Sequence, residues 1–379
     1  MSHTSTVSAV EAIIVDLPTI REHKLAMATM QRQTLVIVRV QCSDGVEGIG
    51  EATTIGGLSY GEESPEGAKL AIDTYLAPAM VGRDAGNING IMDVLGRVAR
   101  GNRLAKSALE TALLDAQGKR LGLPLAALLG GAVRESLPVL WTLASGDTAR
   151  DVEEAESLLA ARRHDTFKLK IGRRSVAEDV AHVAAIKRAL GSRAKVTVDV
   201  NQAWDEAQAG RGIAMLEDAG IDLIEQPIPR ENRVGLARLA QRFVVPIMAD
   251  EAVATPEDAL EVARLGAADV VALKIAKSGG VLGMLRTAAV ADAAGIALYG
   301  GTLLEGTIGT LAAAHGCCTL PRLTWGSELF GPLLLKEDIV QQRPVYRDFE
   351  LVLPQGPGLG VALDEDKLAF YRRDRAATH

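Results

Sequence analysis

Five short apolar runs between residues 167 and 277 each carry a charged residue near their end, and that regularity restricts the fold more than any other feature of the chain. They read Phe167-Lys168-Leu169-Lys170-Ile171, Val196-Thr197-Val198-Asp199-Val200, Leu223-Ile224-Glu225-Gln226-Pro227, Ile247-Met248-Ala249-Asp250-Glu251 and Val271-Ala272-Leu273-Lys274-Ile275. From Lys170 through Asp199, Glu225 and Asp250 to Lys274 the steps are 29, 26, 25 and 24 residues. Each step is about one strand, one helix and two short loops. The pattern is a βα repeat that delivers a charge to the C-terminal end of each strand, where closed parallel barrels keep their sites. Eight candidate strands fall at 139–144, 167–171, 196–200, 223–226, 247–250, 270–275, 296–300 and 323–327. Segments with helical apolar periodicity, such as 151–162 and 177–190, lie between them.

Charges inside buried parallel strands are costly unless something compensates them. Asp199, Glu225 and Asp250, on three successive strands of a closed barrel, are expected to converge on one bound cation. All-oxygen ligation without His or Cys favours Mg²⁺ or Mn²⁺ over Zn²⁺. The plainer reading makes them three helix-capping carboxylates, but three in a row at strand ends weigh against it. Glu251, next to Asp250, is expected on the opposite side of the strand and is a weaker ligand candidate. Lys168 and Lys170, two apart, share a face, and with Leu169 and Ile171 turned to the helices that face is the barrel interior. Lys274 stands across the ring. A cation on a substrate carboxylate neutralises the enediolate left when a proton departs the adjacent carbon. A desolvated lysine near positive charge has a lowered pKa and can move that proton. Glu328, in Trp325-Gly326-Ser327-Glu328-Leu329-Phe330, is a candidate proton donor or hydrogen-bond partner at the rim, with a solvated loop position as the alternative. The Gly279-Gly280 and Gly300-Gly301 pairs read as turns, and Cys317-Cys318 as core.

The rest of the chain suggests a second domain. Strands are expected at 7–17, 34–42 and, after a Ser43-Asp44-Gly45 turn, 46–51. Two flexible segments, 21–30 and 51–61, flank them as possible lids. Helices follow at 64–80, 87–100 and 102–121, the last stopped by Gly122 and Pro124, and 126–131 completes a domain of residues 1–133. The barrel occupies 134–337. A turn-rich segment, 338–379, with a strand at 349–353, is expected to return to the first domain. The three cysteines cannot all pair, no apolar run reaches about 18 residues, and no signal peptide is read, so the expectation is a reduced, cytoplasmic protein. A net charge of −7 without a basic block argues against nucleic acid or an anionic membrane as partner. An anionic substrate must therefore be drawn by local lysines and the metal.

With these residues the chain resembles the muconate cycloisomerases, or muconate lactonising enzymes, of the enolase superfamily. The likeness runs through 13–21, 51–61, 142–150, 167–172, 221–227, 272–277 and 326–335. It implies an α/β fold, a (β/α)₇β TIM-like barrel under an N-terminal α+β capping domain, with Asp199, Glu225 and Asp250 holding one Mn²⁺ or Mg²⁺ per subunit. It implies Lys170 as the proton-transferring residue, Lys168 beside it, Lys274 across the ring and Glu328 as proton donor. Ile55 and Tyr60 match lid and specificity positions, and Asn201 and Phe330 match pocket positions. The substrate implied is a small dicarboxylate, cis,cis-muconate from catechol breakdown, closing reversibly to muconolactone, and the assembly implied is a homo-octamer. Chloromuconate cycloisomerase, o-succinylbenzoate synthase and dipeptide epimerase share the ring. Two other classes stay open on the residues themselves: a Schiff-base aldolase using a strand lysine such as Lys274, and a barrel whose metal is purely structural.

Overall fold

In the first domain, alternating apolar residues build an antiparallel meander of β1 (Val7–Lys24), β2 (Thr29–Cys42) and β3 (Glu47–Thr53). The computed structural model describes residues 5–24, 29–59 and 61–373. Ile14 pairs with Val36 and Ile37 with Glu51. The helix Arg103–Leu121 lies directly on this sheet, because Gly48 and Gly50 carry no side chain beneath it. A Cβ at either position would come within 1.9 Å of a carbonyl oxygen, that of Ala112 or Ala108. The strands run further than the sequence pattern predicts. His23 pairs with Met30 and Lys24 with Thr29, so both ends of the expected flexible segment 21–30 are strand, while 25–28 lie outside the described residues.

The second domain is a seven-stranded parallel sheet. After β4 (Ser136–Pro138), its strands are β5 (Trp141–Leu143), β6 (Thr166–Lys170), β7 (Lys195–Asp199), β8 (Leu223–Glu225), β9 (Ile247–Ala249), β10 (Val270–Leu273) and β11 (Ala297–Gly300), side by side in chain order. A helix follows each strand, and those after β5 to β9 begin with their own side-chain cap. Examples are the reciprocal boxes of Ser175 with Glu178, Asp205 with Gln208 and Thr255 with Asp258, which satisfy first-turn N–H groups. The expected eighth strand at 323–327 is a correction: only Ser327 bridges, to Val139 on one side and Gly300 on the other. Gly326 takes a left-handed φ of 65° just before it, which turns the chain and leaves one residue to close the ring.

The C-terminal segment forms β12 (Tyr346–Arg347) and β13 (Glu350–Val352), which pair with β4. It then reaches the first domain. Leu125 N–H donates to Gly358 O at 2.7 Å, Leu359 N–H to Asp115 Oδ1 at 2.8 Å, and the Arg373 guanidinium to both Asp16 oxygens at 2.7 Å. Cys42, Cys317 and Cys318 are free and buried. Among the described residues no helix is long and apolar enough to cross a membrane.

Candidate active site

Parallel pairing sets the rim. Lys170 is in register with Asp199, and Asp199 with Glu225. Each closes its strand, while Asp250 and Lys274 are the first residues beyond β9 and β10. The side chains interleave by charge. Lys168 Nζ donates to Glu225 Oε2 and Glu328 Oε2, both at 2.5 Å, and Lys170 Nζ to Asp199 Oδ2 at 2.5 Å. Lys274 Nζ donates to Asp250 Oδ2 at 2.5 Å. Lys168 is fully buried, and an ammonium so placed would cost several kcal/mol without its two carboxylates. Its Nζ also lies 5.0 Å from the centre of the Tyr299 ring.

The charges nearest the lysines are carboxylates, which act against the lowering expected beside positive charge. Burial pulls Lys168 and Lys274 down, but carboxylates, led by Glu225 and Glu328 for the first and Asp250 for the second, hold both well above the usual lysine value. Lys170 is raised in the same way: burial opposes, and Asp199 prevails. Their nearest charges are anions, which reverses the sign. Lys277 alone among these lysines goes down, because its burial outweighs Asp250. Burial would raise Glu328, yet Lys168, Lys274 and Lys170 keep it below the ordinary range, and its other oxygen accepts from Thr302 N–H at 3.1 Å. In this arrangement Glu328 is an acceptor that holds Lys168.

Two residues sit where sequence reasoning did not put them. Lys277, passed over, donates to Asp250 O at 2.6 Å and Oδ1 at 2.7 Å. The available signal was its place three residues after Lys274, on the one-turn helix Ile275–Ser278 that Lys274 opens. Glu251 is not turned away from the acids: strand alternation ends at Ala249, and Glu251 lines the same cavity as Asp250. Its Oε1 accepts from Asn201 Nδ2 at 3.4 Å, and burial followed by Asp250 pushes its pKa to about 7.

Among the described residues no three His, Cys, Asp or Glu side chains form a ready metal site; the rim carboxylates turn to ammonium groups instead. The donor set nonetheless suits a hard divalent cation. Glu225 Oε1, Asn201 Oδ1 and Glu251 Oε2 are buried without a hydrogen-bond partner. Burial raises the Glu225 pKa far above normal, and Asp199, Glu328 and Asp250 add to it by repulsion. Such a cluster binds positive charge strongly, and its orphaned atoms are oxygens.

A cavity of about 620 Å³ opens between the two domains, lined by Ile55 and Leu303 on its apolar side and by Asp250, Glu251, Lys274 and Lys277 at the rim. Asn201, with a left-handed φ of 43°, has its N–H on Asp199 Oδ1 at 2.8 Å. Phe330 is fully buried, its ring tilted 56° on Trp141, and does not line this cavity. Tyr60 lies outside the described residues.

Residues 150–367 match the family described as enolase C-terminal domain-like, and residues 9–130 match the mandelate racemase / muconate lactonizing enzyme N-terminal domain. The chain is 64% identical to muconate cycloisomerase 1 of Pseudomonas putida over 97% of its own length and 98% of that protein's. It is 57% identical to muconate cycloisomerase 1-2 of Acinetobacter lwoffii over 97% of this chain and 96% of the other. Among solved structures, the muconate lactonizing enzyme from Pseudomonas fluorescens complexed with muconolactone superposes with a TM-score of 0.97 at 62% identity, covering 98% of this chain and 100% of that one. The chain therefore belongs to the mandelate racemase/muconate lactonizing enzyme family of the enolase superfamily.

Proposed function

We propose that this chain catalyses the reversible cycloisomerisation of cis,cis-muconate to muconolactone, with Lys170 as the proton-transferring group. The observation that carries the reading is the ring of lysines, Lys168 and Lys274 buried and Lys170 partly so, alternating with carboxylates at the barrel rim. One carboxylate of the diacid adds through oxygen to the double bond conjugated with the other carboxylate. A C–O bond forms, and the electron pair moves to the carbon next to that second carboxylate. Lys170, kept protonated by Asp199, then gives its proton to this α-carbon. In the reverse direction the resulting neutral amine takes the proton back. Lys168, held by Glu225 and Glu328, and Lys274, held by Asp250, surround the developing negative charge with fixed positive charge.

Asp199, Glu225 and Asp250 would hold one Mn²⁺ or Mg²⁺, which when bound supplies a second, stronger positive charge to the enolising carboxylate. The cavity wall at Ile55 and Leu303 excludes water from the apolar diene, and Lys274 and Lys277 draw an anion into a chain whose net charge is −7.

In heavy water with Mn²⁺, turnover followed by loss of diene absorbance is expected to place one deuterium at the side-chain carbon of the lactone product that adjoins its free carboxylate. Lys170→Ala is expected to lose about 10²- to 10⁴-fold in kcat, the usual share of a general acid. A Lys170→Ala protein that still turns over and still incorporates deuterium would remove Lys170 from this role.

A further inference from the structure

Glu51 belongs to β3 of the first domain, but its carboxylate works in the second. Its side chain is 3% exposed and enters the start of the helix Thr307–Cys318. Oε1 accepts from Gly306 N–H at 2.7 Å and Oε2 from Gly309 N–H at 3.0 Å, while the Thr53 hydroxyl donates to Oε1 at 2.5 Å. A helix leaves its first N–H groups without partners. Gly306, at the cap position, has no side chain to satisfy them. Glu51 therefore caps this barrel helix from the other domain. The space is made by glycine: a Cβ at Gly309 would stand 3.1 Å from Glu51 Oε1 and 2.8 Å from Glu305 Cγ.

The capped helix ends the 301–306 loop that leaves β11. Glu305 ties the loop to itself, accepting from Leu303 N–H at 3.0 Å and from the Thr302 hydroxyl. Gln33, on β2, donates Nε2 to Leu304 O at 2.8 Å. One loop N–H, that of Thr302, points to Glu328 Oε1 at 3.1 Å, and Glu328 Oε2 meets Lys168 Nζ. A continuous set of bonds thus runs from Glu51 to the lysine ring.

We propose that Glu51 is a positioning residue for the reaction: by capping the helix across the domain boundary it fixes the 301–306 loop, and the loop's Thr302 N–H fixes Glu328 against Lys168. This rests on the rim ring being the reacting site. Glu51 does not touch substrate; it acts through the loop.

Glu51→Gln keeps the size of the side chain, but its amide presents N–H groups to backbone N–H groups, so Gly306 or Gly309 loses its acceptor. With cis,cis-muconate and Mn²⁺, well below the unfolding midpoint, kcat is expected to fall about ten- to hundredfold while KM stays within about twofold. In a Glu328→Gln background the same change is expected to cost nothing more, because the chain of bonds is already cut at its far end. Gly309→Ala, which leaves the charge but displaces it, is expected to reproduce the kcat loss should Glu51→Gln fail to fold. A purely structural Glu51 would lower the midpoint in both backgrounds with kcat unchanged, and that result overturns the proposal. So does a kcat loss equally large in both backgrounds. Absence of wild-type turnover would overturn the assigned reaction along with it, whereas wild-type turnover with an unaffected Glu51→Gln overturns the positioning role alone.

Discussion

The barrel rim and the seam between the two domains both bury carboxylates, and they compensate them in opposite ways. At the rim the partner is an ammonium ion, as Lys274 and Lys277 are for Asp250. At the seam the partners are chiefly backbone N–H groups: Gly306 and Gly309 for Glu51, Leu282 for Glu110, and Ile49 and Leu359 for Asp115, which also pairs with Lys119. Where a rim acid has lysines to itself, as Asp250 has, the pKa values separate accordingly; Glu225, which is buried, crowded by Asp199 and shares Lys168 with Glu328, is raised as the seam acids are. Burial would raise Asp250, yet its two lysines force it far below the ordinary range, whereas burial pushes Glu51 and Glu110 up to about 7. A full counter-charge keeps an acid ionised in the interior; a dipole fixes its geometry and leaves much of its charge uncompensated. The first arrangement can trade one cation for another and shuttle protons. The second holds two domains in register.

Removing a carboxylate at the rim should have the largest effect on stability. Asp250→Asn leaves the buried Lys274 ammonium and the partly buried Lys277 ammonium without their main counter-charge, at a cost of about 3 kcal/mol in urea unfolding at neutral pH. The same variant is expected to bind Mn²⁺ far more weakly in a direct titration, since one of three anionic donors is gone. Unchanged stability would mean that other acids at the rim satisfy Lys274 and Lys277 equally well, and the contrast between the two regions would weaken.

The seam predicts the opposite pH dependence. Asp250, with its pKa depressed, adds stability that is present above its unfolded value and lost as pH falls. Glu110 is held at about 7 in the fold against an ordinary 4.5. The folded protein therefore keeps a proton that the unfolded chain has released, and stability from this group declines as pH rises from about 4.5 to about 7, then stays level. The span is on the order of 3 kcal/mol at most. Glu110→Gln retains an acceptor for Leu282 N–H and has no charge to bury, so its stability relative to wild type is expected to improve across that window. Parallel denaturation curves for the two proteins at about pH 5 and pH 8 would remove the dipole argument for the seam.

The two regions were unequally legible in the sequence. The rim could be read because a charge inside an apolar strand breaks a pattern, and the break recurred at Lys170, Asp199, Glu225, Asp250 and Lys274 at nearly equal spacing. Lys277 was passed over and Glu251 misread because they lie beyond the strand ends, where the period of two no longer says which way a side chain points. The seam was not readable. Glu51 and Glu110 look like ordinary polar residues of a strand and a helix, and their partners are backbone groups more than 150 residues away, which carry no sequence signature. The glycines that admit them, Gly280, Gly306 and Gly309, read only as turn formers or weak helix positions. The eighth strand was overcounted for a related reason: 323–327 has the composition of a strand, and the turn at Gly326 is settled by packing on Pro138.

A third setting, in which water is the compensating partner, gives the smallest effect and fixes the scale for the other two. Asp93 and Arg97, four apart on the helix Ile88–Val98, form a pair at 2.6 Å with both side chains more than 60% exposed. Solvent screens their attraction, and each gives up rotamer freedom to meet the other. Asp93→Asn is therefore expected to shift unfolding by no more than about 0.5 kcal/mol. The rim pair at Asp250 is as short as this one, so a clear difference between the two substitutions would isolate burial, and not distance, as the source of the rim's energetics. A loss at Asp93 comparable to that at Asp250 would instead show that contact geometry alone sets the strength of ion pairs in this protein.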